Sequence, residues 1–351
     1  MTMILFGLAS SSAFAQPDNL SAALTDIAAA KICERLQDRF RGLRGQKVNG
    51  ESHYTGTLWI HSCKVREHQK QHNVSTMHLG VKGWRWIDRE KHKLGAGFNV
   101  HDYARFAVDV ELTGALSAAY TPAEKKLAIW FQPDGKPKVN FNNIDNIEVE
   151  KEGPWASILS GAGALIGNDA EALASEKIAS VGEERFTQTL SEGFSASVDF
   201  CTGRVHSELG QIEKTTLFSK LEQKQKNEFK SVKLEPLSFL LFGPYGERSS
   251  MLDLQIEMKN PATFSHKLIC MDDAIKLADA YMKGDGSFPA VNDQQLALKK
   301  GEQQDSLRNA NQTCPVVAMF ATDESVEQSK YFKFRVRDYN DASPLIQCKT
   351  N

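Results

Sequence analysis

Histidines and one cysteine near the start of the chain are close enough in sequence to form a metal site. The candidate ligands are His61, Cys63, His68, His72 and His78. Zinc prefers these ligand types, and a helix would place His68 and His72 on one face. The segment around them is hydrophilic and basic, however, which favours a loop between strands. We therefore expect no metal at this place.

A thiol and a guanidinium lie close together in sequence at Cys201 and Arg204. A phosphate-cradling loop places several backbone amides between a reactive thiolate and an arginine, and it opens a helix. The two residues between Cys201 and Arg204 are too few for that arrangement. The segment instead favours the end of a strand, a turn and a disulfide.

Three cations alternate with apolar residues near the end of the chain. Lys333, Arg335 and Arg337 occupy one face of a predicted strand, and Tyr331 and Tyr339 flank them. This alternation is typical of a solvated strand face. Cations beside tyrosines also hold anions or stack on sugars, so a glycan site stays open as an alternative.

The remaining motifs and the overall charge exclude several classes of function. The glycines at positions 161, 163 and 167 miss the spacing of the dinucleotide fingerprint, and no Walker loop, nucleophile elbow or EF-hand loop occurs. No nucleophile, base and orienting group can be assembled from the sequence, so we expect a non-enzymatic protein without a cofactor. A formal charge of -2 lacks the basic excess that nucleic-acid binding demands.

The first fifteen residues have the pattern of a signal peptide. An apolar stretch at residues 4–8 is followed by serines and by Ala13, Phe14 and Ala15, the small-x-small form of a signal peptidase site. Cleavage would leave Gln16 as the first residue. No apolar run approaches the roughly 20 residues that span a bilayer. We predict an exported protein that is periplasmic, associated with the outer envelope or extracellular.

Six cysteines in an exported chain predict disulfides. They are Cys33, Cys63, Cys201, Cys270, Cys314 and Cys348. Three come before the lysine-rich segment at 219–233 and three after it, so either one bridge links the halves or each half keeps a free thiol. We favour a bridge between Cys33 and Cys63 and one bridge among the three C-terminal cysteines.

Two long helix-patterned stretches, residues 17–45 and 154–193, bracket a segment of strand patterns. The clearest strand has Phe106, Val108 and Val110 on one face. In the second helical stretch, the bulky side chains lie opposite a face of small residues. The bulky residues are Trp155, Ile158, Leu159, Leu165 and Ile166. We predict an α+β fold, with a curved antiparallel sheet wrapped around long helices and a smaller C-terminal β-sandwich.

A polar, lysine-rich segment provides the predicted domain boundary. The predicted divisions are a signal peptide at 1–15, a helix-plus-curved-sheet domain at 16–214, a linker at 215–233 and a β-sandwich domain at 234–351. Strand alternation, as at Leu252, Leu254 and Ile256, dominates the last of these.

The layout of residues 17–210 resembles exported bacterial proteins of the tubular lipid-binding (TULIP) superfamily. The resemblance covers somewhat over half of the chain and rests on a helix, meandering strands, a helix that opens with Pro154 and Trp155, and the closing segment 193–203. In that superfamily a curved antiparallel sheet wraps a long helix and leaves an apolar groove for acyl chains. The resemblance therefore implies a lipid-binding protein.

Two hypotheses of function follow. The first is an exported, non-enzymatic protein that binds a lipid or another apolar small molecule, in a cavity whose lining would be Phe106, Val108, Val110, Trp155, Ile158, Leu159, Leu165 and Ile166. The competing interpretation of these residues is an ordinary packed core. The second hypothesis is a surface adhesion or carbohydrate-binding protein that contacts the envelope or another surface through the C-terminal β-sandwich.

Overall fold

The computed structural model describes residues 23, 33, 36–69, 74–93, 96–143, 150–152, 180, 182–184, 186–222, 229–245, 252–258, 264–283, 303–307, 314–322, 328–338 and 347–348. The strands of the first half are β1 (Arg39–Val48), β2 (Glu51–Gln69), β3 (Val74–Lys93), β4 (Ala96–Thr121), β5 (Lys126–Pro133), β6 (Lys138–Asn143), β7 (Glu150–Glu152), β8 (Phe194–Asp199) and β9 (Val205–Leu209). Residues 186–191 are helical.

The described residues of the second half form two short helices and the remaining strands. These elements are α1 (Lys214–Glu222), β10 (Lys230–Leu234), β11 (Phe239–Tyr245), β12 (Leu252–Met258), β13 (Ser265–Cys270), α2 (Met271–Met282), β14 (Gln303–Leu307), β15 (Val316–Ala321) and β16 (Lys330–Asp338). In the described part of the chain, no helix is long and apolar enough to cross a membrane.

All of these strands belong to one hydrogen-bonded network of 16 strands. Its main path runs β13-β15-β11-β1-β2-β3-β4-β5-β8-β9. A branch of β10, β16, β12 and β14 joins β2 through a parallel bridge between Val232 and Tyr54. The second-half strands are thus hydrogen-bonded to the first-half strands at β1 and at β2.

The longest strands form the base of the first half. β3 and β4 pair antiparallel without a break, from the Val74–Ala115 pair at one end to the Lys93–Ala96 pair at the other. Along the other edge of β4, β5 pairs with residues 114–121, β6 with 106–111 and β7 with 97–99. β5 and β6 therefore run in the same direction along β4 and do not form a hairpin with each other. The residues between them only interrupt this edge.

The long strands contribute to two cores on opposite faces. Met77, Leu79 and Val81 of β3 alternate on one face and belong to the first core. Beyond Gly83, the fully buried side chain of β3 is that of Trp84. It lies on the other face of the strand and belongs to the second core. The apolar pattern therefore changes phase inside one continuous strand, and each face is buried against different partners.

The second core joins the two halves. It contains the apolar side chains of β10, β11, β12, β15 and β16 together with those of α2. The Trp84 indole N–H donates to the backbone carbonyl of Phe239. The Thr57 hydroxyl accepts a hydrogen bond from the Leu241 N–H at 3.0 Å and lies 3.3 Å from the carbonyl oxygen of the same residue. These buried hydrogen bonds fix β11 against β2 and β3.

The predicted fold class is wrong. Residues 39–48, which the sequence placed largely in the first long helix, form β1, and Asp38 has a φ of 57° just before it. The described helices are short, with 9 residues in α1 and 12 in α2. The predicted separate β-sandwich is also wrong, because its strands continue the first-half sheet through β1 and β2. In β1, pairing with β2 and burial of apolar side chains on both faces override the helical spacing.

Three disulfides connect all six cysteines. Cys33 bonds to Cys63, Cys201 to Cys348 and Cys270 to Cys314, with Cα atoms 5.1, 5.5 and 5.7 Å apart. The favoured Cys33–Cys63 bridge and the bridge within the C-terminal group are confirmed. Of the two alternatives for the third pair, the bridge between the halves is present. Three disulfides indicate an oxidising environment, as expected of an exported protein.

The predicted linker, residues 215–233, contains most of α1 and the start of β10. Leu217, Phe218 and Leu221 of α1 are buried against Ala128 of β5. The domain boundaries derived from the sequence stay predictions.

Candidate functional site

Three of the predicted ligand-binding residues lie together on the apolar face of β4. Phe106, Val108 and Val110 occupy alternate positions and are 6%, 1% and 2% exposed. They stand opposite Gly83, Val81 and Leu79 of β3. The ring of Phe106 lies over Gly83, where a Cβ would come within 2.6 Å of the ring. This local fit depends on a glycine in β3.

The face extends over neighbouring strands into one surface, called here the apolar face. Its members are Leu58, Ile60, Cys63 and Val65 of β2; Met77, Leu79 and Val81 of β3; Phe106, Val108, Val110, Leu112 and Leu116 of β4; Phe131 of β5; and Val139 and Phe141 of β6. The registers of β2, β3, β4 and β6 bring these side chains side by side. From Phe106 to Leu116, no position on this side of β4 is ionisable.

Two short stretches outside the sheet contact this face. The Cys33–Cys63 disulfide ties the segment before β1 to the middle of β2. On the other side, the ring of Phe186 lies 6.3 Å from that of Phe106 and 6.1 Å from that of Phe141. Helical residues therefore lie over the apolar face at both sites.

The margin of the apolar face is less buried than its centre. Leu58, Ile60 and Val65 of β2 are only partly buried, as are Val139 and Phe141 of β6. The central side chains of β3 and β4 are almost fully buried. The result is a buried apolar strip with partly accessible apolar side chains along both sides.

The five remaining predicted ligand-binding residues cannot be placed. Trp155, Ile158, Leu159, Leu165 and Ile166 lie outside the described residues. Their predicted contribution to a cavity stays a prediction.

Behind residues 108–112 of β4, the opposite face of the sheet is polar. Glu111 of β4 pairs with Lys138 at 2.6 Å and with the His78 ring at 3.3 Å. The hydrogen bond from Lys138 lowers the pKa of Glu111. The two faces of β4 thus differ sharply, since alternate residues are apolar and charged.

Among the described residues, the candidate metal ligands His61, Cys63 and His78 do not form a metal site, and His72 lies outside those residues. Cys63 is committed to a disulfide, and the His61 ring lies 5.7 Å from the ring of Trp59. Desolvation, with a contribution from the nearby Lys82, lowers the pKa of His61. Among the residues that the structure describes, no group of three or more metal-ligating side chains is found.

Cys201 and Arg204 form the predicted turn and disulfide. The Asp199 carboxylate accepts the backbone N–H groups of Cys201 and Thr202 at 2.8 and 3.0 Å, and Cys201 is bonded to Cys348. This confirms a strand end with a tight turn, stabilised by side-chain capping.

The cations of β16 are engaged within the protein. Lys333 pairs with Glu51 at 3.2 Å. Arg335 donates from Nε to the Gln255 side-chain oxygen at 2.6 Å and lies 4.5 Å from the centre of the Phe229 ring. Arg337 stands opposite Asp253 in the pairing with β12. These contacts give the cations a structural role and do not favour a glycan site.

Comparisons with known proteins give little more. No family model matches the chain, and no curated protein matches it. Among solved structures, extended synaptotagmin 2, comprising its SMP domain and two further domains, shows 9% sequence identity and a TM-score of 0.13. The match covers 91% of this chain and 63% of that chain. Such a likeness is too weak to assign a fold, so membership of the TULIP superfamily stays a prediction.

Proposed function

We propose that this chain is an exported, non-enzymatic protein that binds a lipid or another apolar small molecule on the apolar face. The supporting observation is the margin of that face, where Leu58, Ile60 and Val65 remain partly accessible beside a buried strip. Partly exposed apolar side chains in a row gain free energy when a ligand removes them from water.

The dimensions of the face fit an acyl chain. Phe106 and Leu116 are ten positions apart on β4, which corresponds to about 33 Å at the usual rise per strand residue. The hydrocarbon core of a bilayer is about 30 Å thick, and one acyl chain spans half of it. A single extended acyl chain is therefore shorter than the face. Each buried methylene contributes roughly 0.8 kcal/mol.

The chemistry of the face supports binding without catalysis. Its β3 and β4 side chains are apolar, and the charged residues that alternate with them in β4 point the other way. A face of this kind holds an apolar chain but offers no acid, base or nucleophile to act on it. The disulfides support an exported location for the binding reaction, periplasmic, at the outer envelope or outside the cell.

Two measurements test the proposal. Organic extracts of natively purified protein, examined by mass spectrometry, are expected to contain a lipid in stoichiometric amount. Uptake of a fluorescent fatty acid is expected to weaken in Val65→Gln, because an amide at the margin of the face cannot be solvated beside the ligand.

A matched control is the neighbouring residue. Lys64 is exposed and points away from the apolar face, so Lys64→Gln introduces the same side chain on the other face of β2. We expect it to leave uptake unchanged. Absence of lipid from the extracts together with no uptake by the wild type would refute the proposal, and equal effects of the two variants would remove the apolar face as the site.

A further inference from the structure

An open cleft of about 340 Å³ lies where the two halves of the sheet diverge. Its lining consists of Phe40, Arg41, Gly42, Tyr54, Lys230, Phe242, Gly243, Pro244 and Tyr245, and it is called here the aromatic cleft. β1 and β11 pair only at Phe40 and Gly243, and the β11–β15 register shifts between Phe242 and Tyr245. The strands therefore separate beyond this single bridge and leave an opening.

Aromatic rings form the walls of this opening. Tyr54 and Phe242 meet edge to face with their centroids 5.6 Å apart. Both rings pack onto the bare backbone of Gly42, where a Cβ would come within 2.2 Å of Phe242 and 2.6 Å of Tyr54. Only glycine permits this arrangement, so β1 is built to accept two rings at this position.

A lysine with no acidic partner lies among these rings. The Lys230 ammonium donates a hydrogen bond to the Tyr245 hydroxyl at 3.0 Å. It also lies 5.4 Å from the ring centre of Tyr245, 5.8 Å from that of Phe242 and 5.7 Å from that of Phe334. Within the described residues, no carboxylate comes within ion-pair distance of Lys230.

Among the described residues, the unpaired charge in the cleft is that of Lys230. Arg41 also lines the cleft, but it stands opposite Leu58 in the pairing with β2, so its side chain lies on the other face of β1 from Phe40 and Gly42. The cations of β16 behave differently, since Lys333 is paired with Glu51 and Arg335 is bonded to Gln255. A cation without a carboxylate partner in the described part of the chain, beside aromatic walls, complements a ligand that carries a negative charge on a flat body.

We propose that the aromatic cleft binds a small aromatic anion, a phosphate or carboxylate attached to a single ring. Lys230 holds the anionic group, and the Tyr54 and Tyr245 rings contact the flat body of the ligand. The volume of the cleft falls within the range of small-molecule sites and suffices for one ring with its anionic group. The cleft is separate from the apolar face, so the two proposals stand independently.

The test uses phenyl phosphate as the probe, titrated calorimetrically into the full disulfide-bonded chain. We expect binding of phenyl phosphate that is about tenfold or more tighter than binding of inorganic phosphate or of phenol, since each of these supplies only half of the contacts. Tight binding of inorganic phosphate alone would contradict the role of the rings. No heat with any of the three probes at millimolar concentration would overturn the proposal.

Substitutions locate the binding. Lys230→Met keeps the stem against the rings and removes the charge, and we expect affinity for phenyl phosphate to fall about tenfold or more. Tyr54→Leu removes one ring of the cleft wall and is expected to act in the same direction, so it tests the cleft even if Lys230→Met folds poorly. Lys47→Met, at an exposed cation farther along β1, is the control. An equal loss in Lys47→Met would show general charge attraction and refute the assigned site.

Discussion

His266 makes the stability of the second core sensitive to acid. Its side chain is 2% exposed on β13, beside the ring of Phe264 with their centroids 6.1 Å apart. The Nδ1 atom has no hydrogen-bond partner among the described residues. Burial is the cause that lowers the pKa of His266 from 6.5 to about 4. The folded protein therefore resists protonation of a ring that protonates readily once the chain unfolds.

The direction and size of the effect follow from proton linkage. Above pH 6.5, both states hold a neutral ring and the contribution of His266 is constant. Between pH 6.5 and 4 the unfolded chain binds a proton that the folded chain does not, so the free energy of unfolding falls as the pH falls. A shift from 6.5 to about 4 corresponds to a total loss of roughly 3 kcal/mol. At pH 4.5 the loss is about 2.5 kcal/mol.

Urea unfolding at pH 7.5 and at pH 4.5, with disulfides intact, measures this difference. His266→Phe removes the titrating ring. Between pH 7.5 and pH 4.5, the free energy of unfolding of this variant is expected to fall by about 2.5 kcal/mol less than that of the wild type. Phe264→Leu is the control, because it weakens the same core at both pH values but keeps His266 and its pH dependence. If His266→Phe and the wild type lose equal free energy between the two pH values, the reasoning is refuted.

Three further predictions concern the covalent and packing features of the fold. Replacing Cys201 and Cys348 with serine opens a bridge with a sequence separation of 147 residues and is expected to cost on the order of 2 to 5 kcal/mol in urea unfolding; an unchanged midpoint would show that the link contributes nothing. Gly83→Ala places a methyl group against the Phe106 ring and a backbone carbonyl and is expected to cost about 1 to 3 kcal/mol, and wild-type stability would contradict the close approach. The intact mass of the exported protein is expected to match a chain that begins at Gln16, and a mass that includes residues 1–15 would contradict the predicted signal peptide.

Local alternation predicted individual strands well. Phe106, Val108 and Val110 lie on one buried face of β4, as their spacing indicates, and Leu252 and Leu254 lie in β12. A strand with one buried face repeats its apolar residues every second position, so such segments are recognisable without knowledge of their partners. The sequence also supplied the favoured Cys33–Cys63 bridge, since nearby cysteines in an exported chain have few other partners.

The lengths of the strands could not be read in the same way. The apolar pattern alone favours two separate strands at residues 77–81 and 84–88, yet β3 runs unbroken over 20 residues. Its apolar pattern changes phase between Val81 and Trp84, and a phase change looks like a strand end when only one face is considered. The two faces are buried against different cores, and nothing local reveals that a second core exists.

The same limitation explains the wrong helix over residues 39–45. Leu36, Phe40 and Leu43 have helical spacing, but in β1 Phe40 and Leu43 point to opposite faces, with Phe40 in the second core and Leu43 against the first. A segment buried on both faces loses the period-2 signal and can imitate a helix. The aromatic cleft was missed for a related reason, because Lys230 meets β1 only through tertiary pairing.

The phase change in the long strands also explains where the candidate sites lie. The apolar face runs along both parts of these strands. Val65, Met77 and Leu112 lie where the opposite face is polar, whereas Leu58 and Ile60 lie on either side of Trp59, which belongs to the second core. Near Trp84 both faces are occupied, and the sheet is joined to β11. The aromatic cleft forms at the border of that junction, where β11 leaves β1 after one bridge. An apolar ligand and a small anion would thus bind on opposite faces of the sheet, and a variant that disrupts one site is expected to leave the other intact.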